Sequence, residues 1–327
     1  MTPPARGLAA MFATCCALGL ALPALAAASD AYPTQPVRLV VPFTAGSTSD
    51  IAARAVAQKI EGPLGQPVIV DNKPGANGAI GMLNVAKAKP DGYTLVVGSV
   101  SSTAVPAVLM RSPPFDLFKD FTPVAAIAGT TLLLVAPADS PIDSVPALVA
   151  AAKAAPGTLN YANSAGLFQL AMESFKLQAG IDLTAVNYKG PSEATSDLLG
   201  GRVSVQPDSL GSATRLIQGG RTKPLAVLSG ARTATLAQVP TMQELGYADF
   251  DFNGWIGILA PAGTPASIVE RLHREIAKAV ASEDVRRAYA AAAIDAVTLS
   301  PADYKALLAR ETAKYRKIVE KARIEKQ

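Results

Sequence analysis

Val37-Arg38-Leu39-Val40-Val41-Pro42-Phe43, followed by Thr44-Ala45-Gly46-Ser47-Thr48-Ser49-Asp50, is the stretch on which the fold turns. The first seven residues are a near-continuous apolar run, the pattern of a strand buried on both faces. Small residues then make a turn, and residues 51–60 continue with apolar positions at helical spacing. Strand, short turn and helix in that order open an α/β unit, in which helices cover a sheet of largely parallel strands.

The alternation persists along the chain. Strands are expected at 68–70, 94–97, 121–127, 132–136, 159–161, 184–188, 203–206, 224–228 and 252–260. Helices are expected at 78–88, 145–154, 167–179, 192–199, 211–218, 265–281 and 284–292. A last helix has Ser300 as N-cap, Pro301 in its first position and Asp303 in its first turn. No internal repeat of about 20–50 residues interrupts this order.

The chain has 327 residues, 50% of them apolar and 17% charged. That suffices for one large domain or two ordinary ones and fits neither a disordered chain nor a coiled coil. Lys and Arg total 30 against 26 Asp and Glu, and no basic stripe is interleaved with aromatics, which disfavours a nucleic-acid partner.

Arg6, an apolar stretch from Gly7 to Leu22, and Ala24-Leu25-Ala26 or Ala26-Ala27-Ala28 form the three parts of a secretory signal peptide, expected over residues 1–28. A membrane anchor is the poorer reading, because the run falls short of the roughly 20 residues a spanning helix needs and meets Pro23. Cleavage near Ser29 gives an exported, periplasmic chain. Cys15 and Cys16 are lost with the signal, so disulfides, cysteine nucleophiles and thiolate metal sites are not expected. His273 is the single histidine, at helical spacing beside Leu272 and Ile276, and reads as a solvated or interhelical side chain. Catalytic triads and histidine metal sites are therefore disfavoured, and neither cofactor nor metal is expected.

Three places suit ligand chemistry. The turn from Phe43 to Asp50 puts backbone N–H groups at the positive end of a helix, which suits an anion; the alternative is a plain N-cap by Ser47 or Ser49. No G-x-G-x-x-G or Walker lysine accompanies it. A second turn of the same kind is Tyr161-Ala162-Asn163-Ser164-Ala165-Gly166. The third is Gln206-Pro207-Asp208-Ser209, at the carboxyl end of a strand, where open α/β sheets bind ligands. Asp50 and Asp208 read either as acceptors for a ligand amine, ligand hydroxyl or bound water, or as helix caps.

Several ordered motifs resemble one family. They are Pro36-Val37-Arg38-Leu39-Val40-Val41-Pro42-Phe43, Leu64-Gly65-Gln66-Pro67-Val68, Asp71-Asn72-Lys73-Pro74-Gly75-Ala76 and Lys89-Pro90-Asp91-Gly92-Tyr93-Thr94-Leu95. Further along come Lys119-Asp120-Phe121-Thr122-Pro123-Val124, Tyr188-Lys189-Gly190, Asp197-Leu198-Leu199-Gly200-Gly201, Val239-Pro240-Thr241 and Ala260-Pro261-Ala262-Gly263-Thr264-Pro265. Over essentially the whole mature chain the sequence resembles the extracytoplasmic solute receptors of tripartite tricarboxylate transporters, the Bug family.

The resemblance implies a two-domain, type II periplasmic-binding-protein fold whose cleft closes on a small carboxylated molecule. Domain one would comprise residues 31–129 plus 254–327, and domain two residues 130–253. One loop from each domain would hold the carboxylate through backbone, hydroxyl groups and ordered water. These are Phe43, Thr44, Ala45, Gly46, Ser47 and Asp50 in the first, and Asn163, Ser164, Ala165 and Gly166 in the second, with Asp208 nearby. Ser47 replaces a glycine usual in the family, and the second loop is shorter than the family's, so that Leu167 and Phe168 would line the pocket. The implied function is capture of a mono-, di- or tricarboxylate, or an aromatic acid, by a monomeric receptor without a catalytic step. Its partner would be a set of membrane transporter subunits or a sensor. The alternatives are a sensor-only receptor and a secreted α/β hydrolase, the latter lacking a G-x-S-x-G motif.

Overall fold

The computed structural model describes residues 32–188 and 190–326. The expected signal peptide with Cys15 and Cys16, and Lys189, lie outside them. The described residues from Pro33 onward form one compact unit. In chain order its elements are β1 (Val37–Val41), α1 (Thr48–Leu64), β2 (Val68–Asn72), α2 (Ala79–Ala86), β3 (Thr94–Ser99), α3 (Ala104–Leu109), β4 (Phe121–Thr130) and β5 (Leu132–Pro137). There follow α4 (Val145–Ala154), β6 (Asn160–Asn163), α5 (Gly166–Ala179), β7 (Thr184–Asn187), α6 (Pro191–Leu199), β8 (Gln206–Ser209), α7 (Leu210–Gln218) and β9 (Thr222–Val227). The chain ends with β10 (Gly254–Pro261), α8 (Ala266–Ala281), α9 (Glu283–Ala291), β11 (Asp295–Leu299) and α10 (Pro301–Lys321).

The α/β class is the one expected. A six-stranded sheet has the order β11-β4-β10-β3-β1-β2. Its parallel part is β2-β1-β3, and Val37, Val40 and Val41 of β1 are fully buried, as the apolar run, interrupted only by Arg38, predicts. Strand β10 is antiparallel to both β3 and β4, and β11 is antiparallel to β4. A three-stranded sheet, β8-β5-β9, is antiparallel, and β6 and β7 pair in parallel. A parallel bridge between Tyr161 and Val205, with Ala162 N donating to Val205 O at 3.0 Å, joins β6 to the approach of β8.

The chain passes between the large sheet and the smaller ones at two neighbouring places. Thr131 alone separates β4 from β5, and β10 begins at Gly254, which is in register with Thr130. Alternation along β5 divides the core. Leu132, Leu134 and Ala136 enter an apolar cluster that runs through α3, α5 and α10 to the large sheet, while Leu133 and Val135 enter a second cluster beneath α6 and α7.

The C-terminal helix starts as expected: Ser300 accepts from Asp303 N at 3.1 Å, and Pro301 occupies the first turn. The strand read at 203–206 is instead β8, beginning at Gln206. Pro207 does not stop it because β8 lies at the edge of its three-stranded sheet, where a missing N–H is tolerated. Helix α3 and strand β11 had no counterpart in the sequence reading. Among the described residues no helix is long and apolar enough to cross a membrane, and no group of three or more His, Cys, Asp or Glu side chains could hold a metal ion.

Candidate functional site

The first turn leaves the carboxyl end of β1 and enters α1. Ser47 N donates to Thr44 O at 3.2 Å, and Gly46 takes φ +79, a left-handed conformation that glycine adopts without strain. Ser47 caps α1 by accepting from Asp50 N at 3.3 Å. Thr44, Ala45 and Gly46 are exposed, and the N–H groups of Thr44 and Ala45 meet no acceptor among the described residues. These two free amides lie just ahead of the N-terminus of a 17-residue helix, where the helix dipole favours negative charge.

Beneath this turn Asp50 is buried, at 3% exposure. Its carboxylate accepts from Gly46 N at 2.9 Å, from Arg54 Nε at 3.0 Å and from Asn72 Nδ2 at 2.8 Å. Burial pushes the carboxyl up, but the bonds from Arg54, Gly46 and Asn72 and the Arg54 charge together outweigh it and hold Asp50 below the usual carboxylate range. Both oxygens are committed to shaping the turn, and the Arg54 charge offsets an anion that would otherwise repel another.

The second turn leaves β6 and enters α5. Asn163 Nδ2 donates to Asn187 Oδ1 at 2.7 Å, whereas Asn163 Oδ1 and Ser164 Oγ are buried atoms without a partner among the described residues. Ala165 precedes the helix and supplies no side-chain cap, so α5, unlike α1, starts without one. Leu167 and Phe168 are buried in the core cluster shared with α3.

Asp208 is 2% exposed, within β8 rather than after it. It accepts from Ser209 N at 2.8 Å through Oδ1, while Oδ2 has no partner among the described residues. Burial raises its pKa, against smaller lowering contributions from Ser212, Ser209 N and Arg215. The cap of α7 is Ser209, which accepts from Ser212 N.

Both turns pack around the segment that follows β3. A Cβ on Gly78 would lie 2.8 Å from Ser102 Cβ, 3.4 Å from Pro42 Cβ and 3.5 Å from Phe43 Cζ, which ties the first turn to the 3-10 turn Val100–Ser102. A Cβ on Gly166 would lie 2.5 Å from Val105 Cγ1, which ties the second turn to α3 just beyond. The strands β6 and β8 run parallel through the Tyr161–Val205 bridge, so Asn163 and Asp208 lie at the same end of the smaller sheets. His273 stands on α8 and contributes to neither turn. A pocket of about 340 Å³ lies along the flank of α1 against α9, lined by Gln58, Lys59 and Asp284 among others, and includes neither turn. Asn72 and Arg54 were not among the expected site residues; only the Asp50–Arg54 spacing of four hinted at a bond.

The fold is thus an α/β fold with two strand-to-helix turns at strand ends, the first with free amides and the second without a side-chain cap. The family model described as the tripartite tricarboxylate transporter family receptor matches residues 52–324. Protein BugT of Bordetella pertussis is 36% identical over 304 residues, covering 92% of each chain. The structure of R. palustris Rpa4515 with adipate has a TM-score of 0.77 and 34% identity, covering 89% of this chain and 98% of that one. MatC from Rhodopseudomonas palustris with bound malate has a TM-score of 0.74 and 28% identity, covering 88% of this chain and all of that one. The chain therefore belongs to the tripartite tricarboxylate transporter receptor family of solute-binding proteins.

Proposed function

We propose that this protein is a periplasmic receptor that captures a small organic carboxylate and delivers it to a tripartite tricarboxylate-type transporter, with no catalytic step. The observation that carries the reading is the pair of strand-to-helix turns, 43–47 and 163–166, the first presenting the free N–H groups of Thr44 and Ala45 ahead of a helix capped by Ser47, the second opening a helix with no side-chain cap, and both packed around Val100–Leu109. Such amides favour an anion and need no ionic partner. The similar proteins bound to adipate and to malate favour a dicarboxylate over other anions.

In this reading residues 1–28 are removed on export and the mature protein is a monomer. Domain one is residues 31–129 plus 254–327 and domain two is 130–253. The neighbouring crossings at Thr131 and Gly254 serve as the hinge. Phe43, Thr44, Ala45, Gly46 and Ser47 with Asn163, Ser164, Ala165 and Gly166 contact the carboxylate. Asp50 holds the first turn, and Asp208 offers its free oxygen to a donor on the ligand or on bound water. Closure follows when ligand favours the closed state.

A thermal-shift screen of mono-, di- and tricarboxylates, aromatic acids and amino acids, followed by calorimetry, tests this directly. An acid at about 100 times its dissociation constant should add about 2.7 kcal/mol of stability. Silence across all carboxylates would remove the proposal. Loss of uptake of the bound acid on deletion of the gene distinguishes delivery from sensing alone.

A further inference from the structure

We propose that Asn72 is a positioning residue of this site, holding the β1–α1 turn in its anion-receiving shape; the inference rests on the carboxylate reading of that turn. Asn72 ends β2 in register with Val41, the last residue of β1, and Lys73 N extends the ladder by donating to Val41 O at 2.8 Å. The side chain therefore stands where the first turn leaves the sheet.

Every polar atom of its amide is used there. Nδ2 donates to Phe43 O at 3.1 Å and to Asp50 Oδ1 at 2.8 Å, and Oδ1 accepts from Arg54 Nη2 at 2.8 Å. Asp50 in turn accepts from Gly46 N at 2.9 Å. One side chain thus fixes the turn at both ends, at Phe43 directly and at Gly46 through a single carboxylate. Two donors facing a carbonyl and a carboxylate, with an acceptor facing a guanidinium, is an amide's inventory. An aspartate in its place would set oxygens against Phe43 O and Asp50, and a leucine would leave both without this donor. Asn72 bonds to neither Thr44 N nor Ala45 N, so it acts on the ligand through the turn.

Asn72→Asp and Asn72→Leu are compared with wild type by amide hydrogen exchange over residues 43–47 and by calorimetric titration with adipate and malate. Exchange at Gly46 should rise about tenfold or more in both variants, as expected for a lost charge-assisted hydrogen bond, while α1 beyond its first turn stays protected. Affinity for whichever acid binds the wild type should fall about tenfold. A change in only one of the two readouts, or in neither, overturns the assignment. If neither acid binds the wild type, the carboxylate reading is what fails for these probes, and Gly46 exchange alone decides whether Asn72 holds the turn. If Asn72→Leu does not fold, Asn72→Asp, nearly equal in size, decides.

Discussion

Gly166, in the first turn of α5, approaches Val105 of α3 so closely that a Cβ at residue 166 would lie 2.5 Å from Val105 Cγ1 and 3.2 Å from Leu109 Cδ1. Helix α5 packs on the small sheets and α3 follows the large one, so this contact joins the two halves of the fold beside the second turn. The glycine makes it: with Gly166 opening the helix directly after Asn163-Ser164-Ala165, no side chain separates the two helices at this point.

Gly166→Ala therefore reverses the usual sign. Alanine normally stabilises a helix by about 0.5–1 kcal/mol over glycine. Here overpacking should cost about 1–3 kcal/mol. Denaturant unfolding measures it, and Val105→Ala in the same chain should recover part of the loss. If Gly166→Ala is stabilising, the helices are free to separate and the contact does not constrain them.

Asp50 sets an acid limit on stability. Its folded-state value lies below the ordinary 3.8, so the unfolded chain takes up the proton more readily. The resulting stability is present above pH 3.8 and is lost as pH falls through the lower folded value. Asp50→Asn should cost about 1–3 kcal/mol at pH 7, and the difference from wild type should shrink towards pH 3. A pH-independent difference would assign the loss to shape alone.

Asp208 carries the opposite sign. Burial raises its value, so the charged form works against the fold at neutral pH, and that penalty is relieved as pH falls through the raised folded value towards 3.8. Asp208→Asn should therefore stabilise the protein at pH 7 and lose this advantage at pH 4. If a ligand or bound water supplies the donor to Oδ2, the same variant binds the acid more weakly. Greater stability with unchanged affinity would take Asp208 out of the site.

What could be read along the chain was what local chemistry determines. The β1–α1 turn showed itself because small residues separate an apolar run from a helical one, and Ser300-Pro301 marks its helix by capping alone. Helix α3 was hidden by its shortness and by Pro106 inside it. Strand β11 was hidden because its residues are largely exposed at the sheet edge and show no apolar run. The role of Asn72 depends on a parallel register that places it beside a turn 29 residues earlier in the chain. No spacing rule reaches that far.

Trp255 offers the test of closure. It follows Gly254 at the second crossing, pairs with Gly129 across β4 and is 6% exposed, with its ring edge-on to Tyr304 at 5.8 Å between centroids. Its Nε1 is buried without an acceptor among the described residues. An indole so enclosed should emit well to the blue of free tryptophan in the ligand-free protein. Because Trp255 is the chain's single tryptophan, its emission reports this place alone. If the halves rotate about the paired crossings, the surroundings of Trp255, one residue beyond the second crossing, change while its contact with Tyr304 travels with it, and a bound acid should shift the emission saturably with the dissociation constant that calorimetry gives. Tyr304→Phe keeps the ring contact and removes the buried hydroxyl, so it should leave the ligand response intact. Binding by calorimetry with no change in emission would place Trp255 in a rigid part of the core and move the hinge elsewhere.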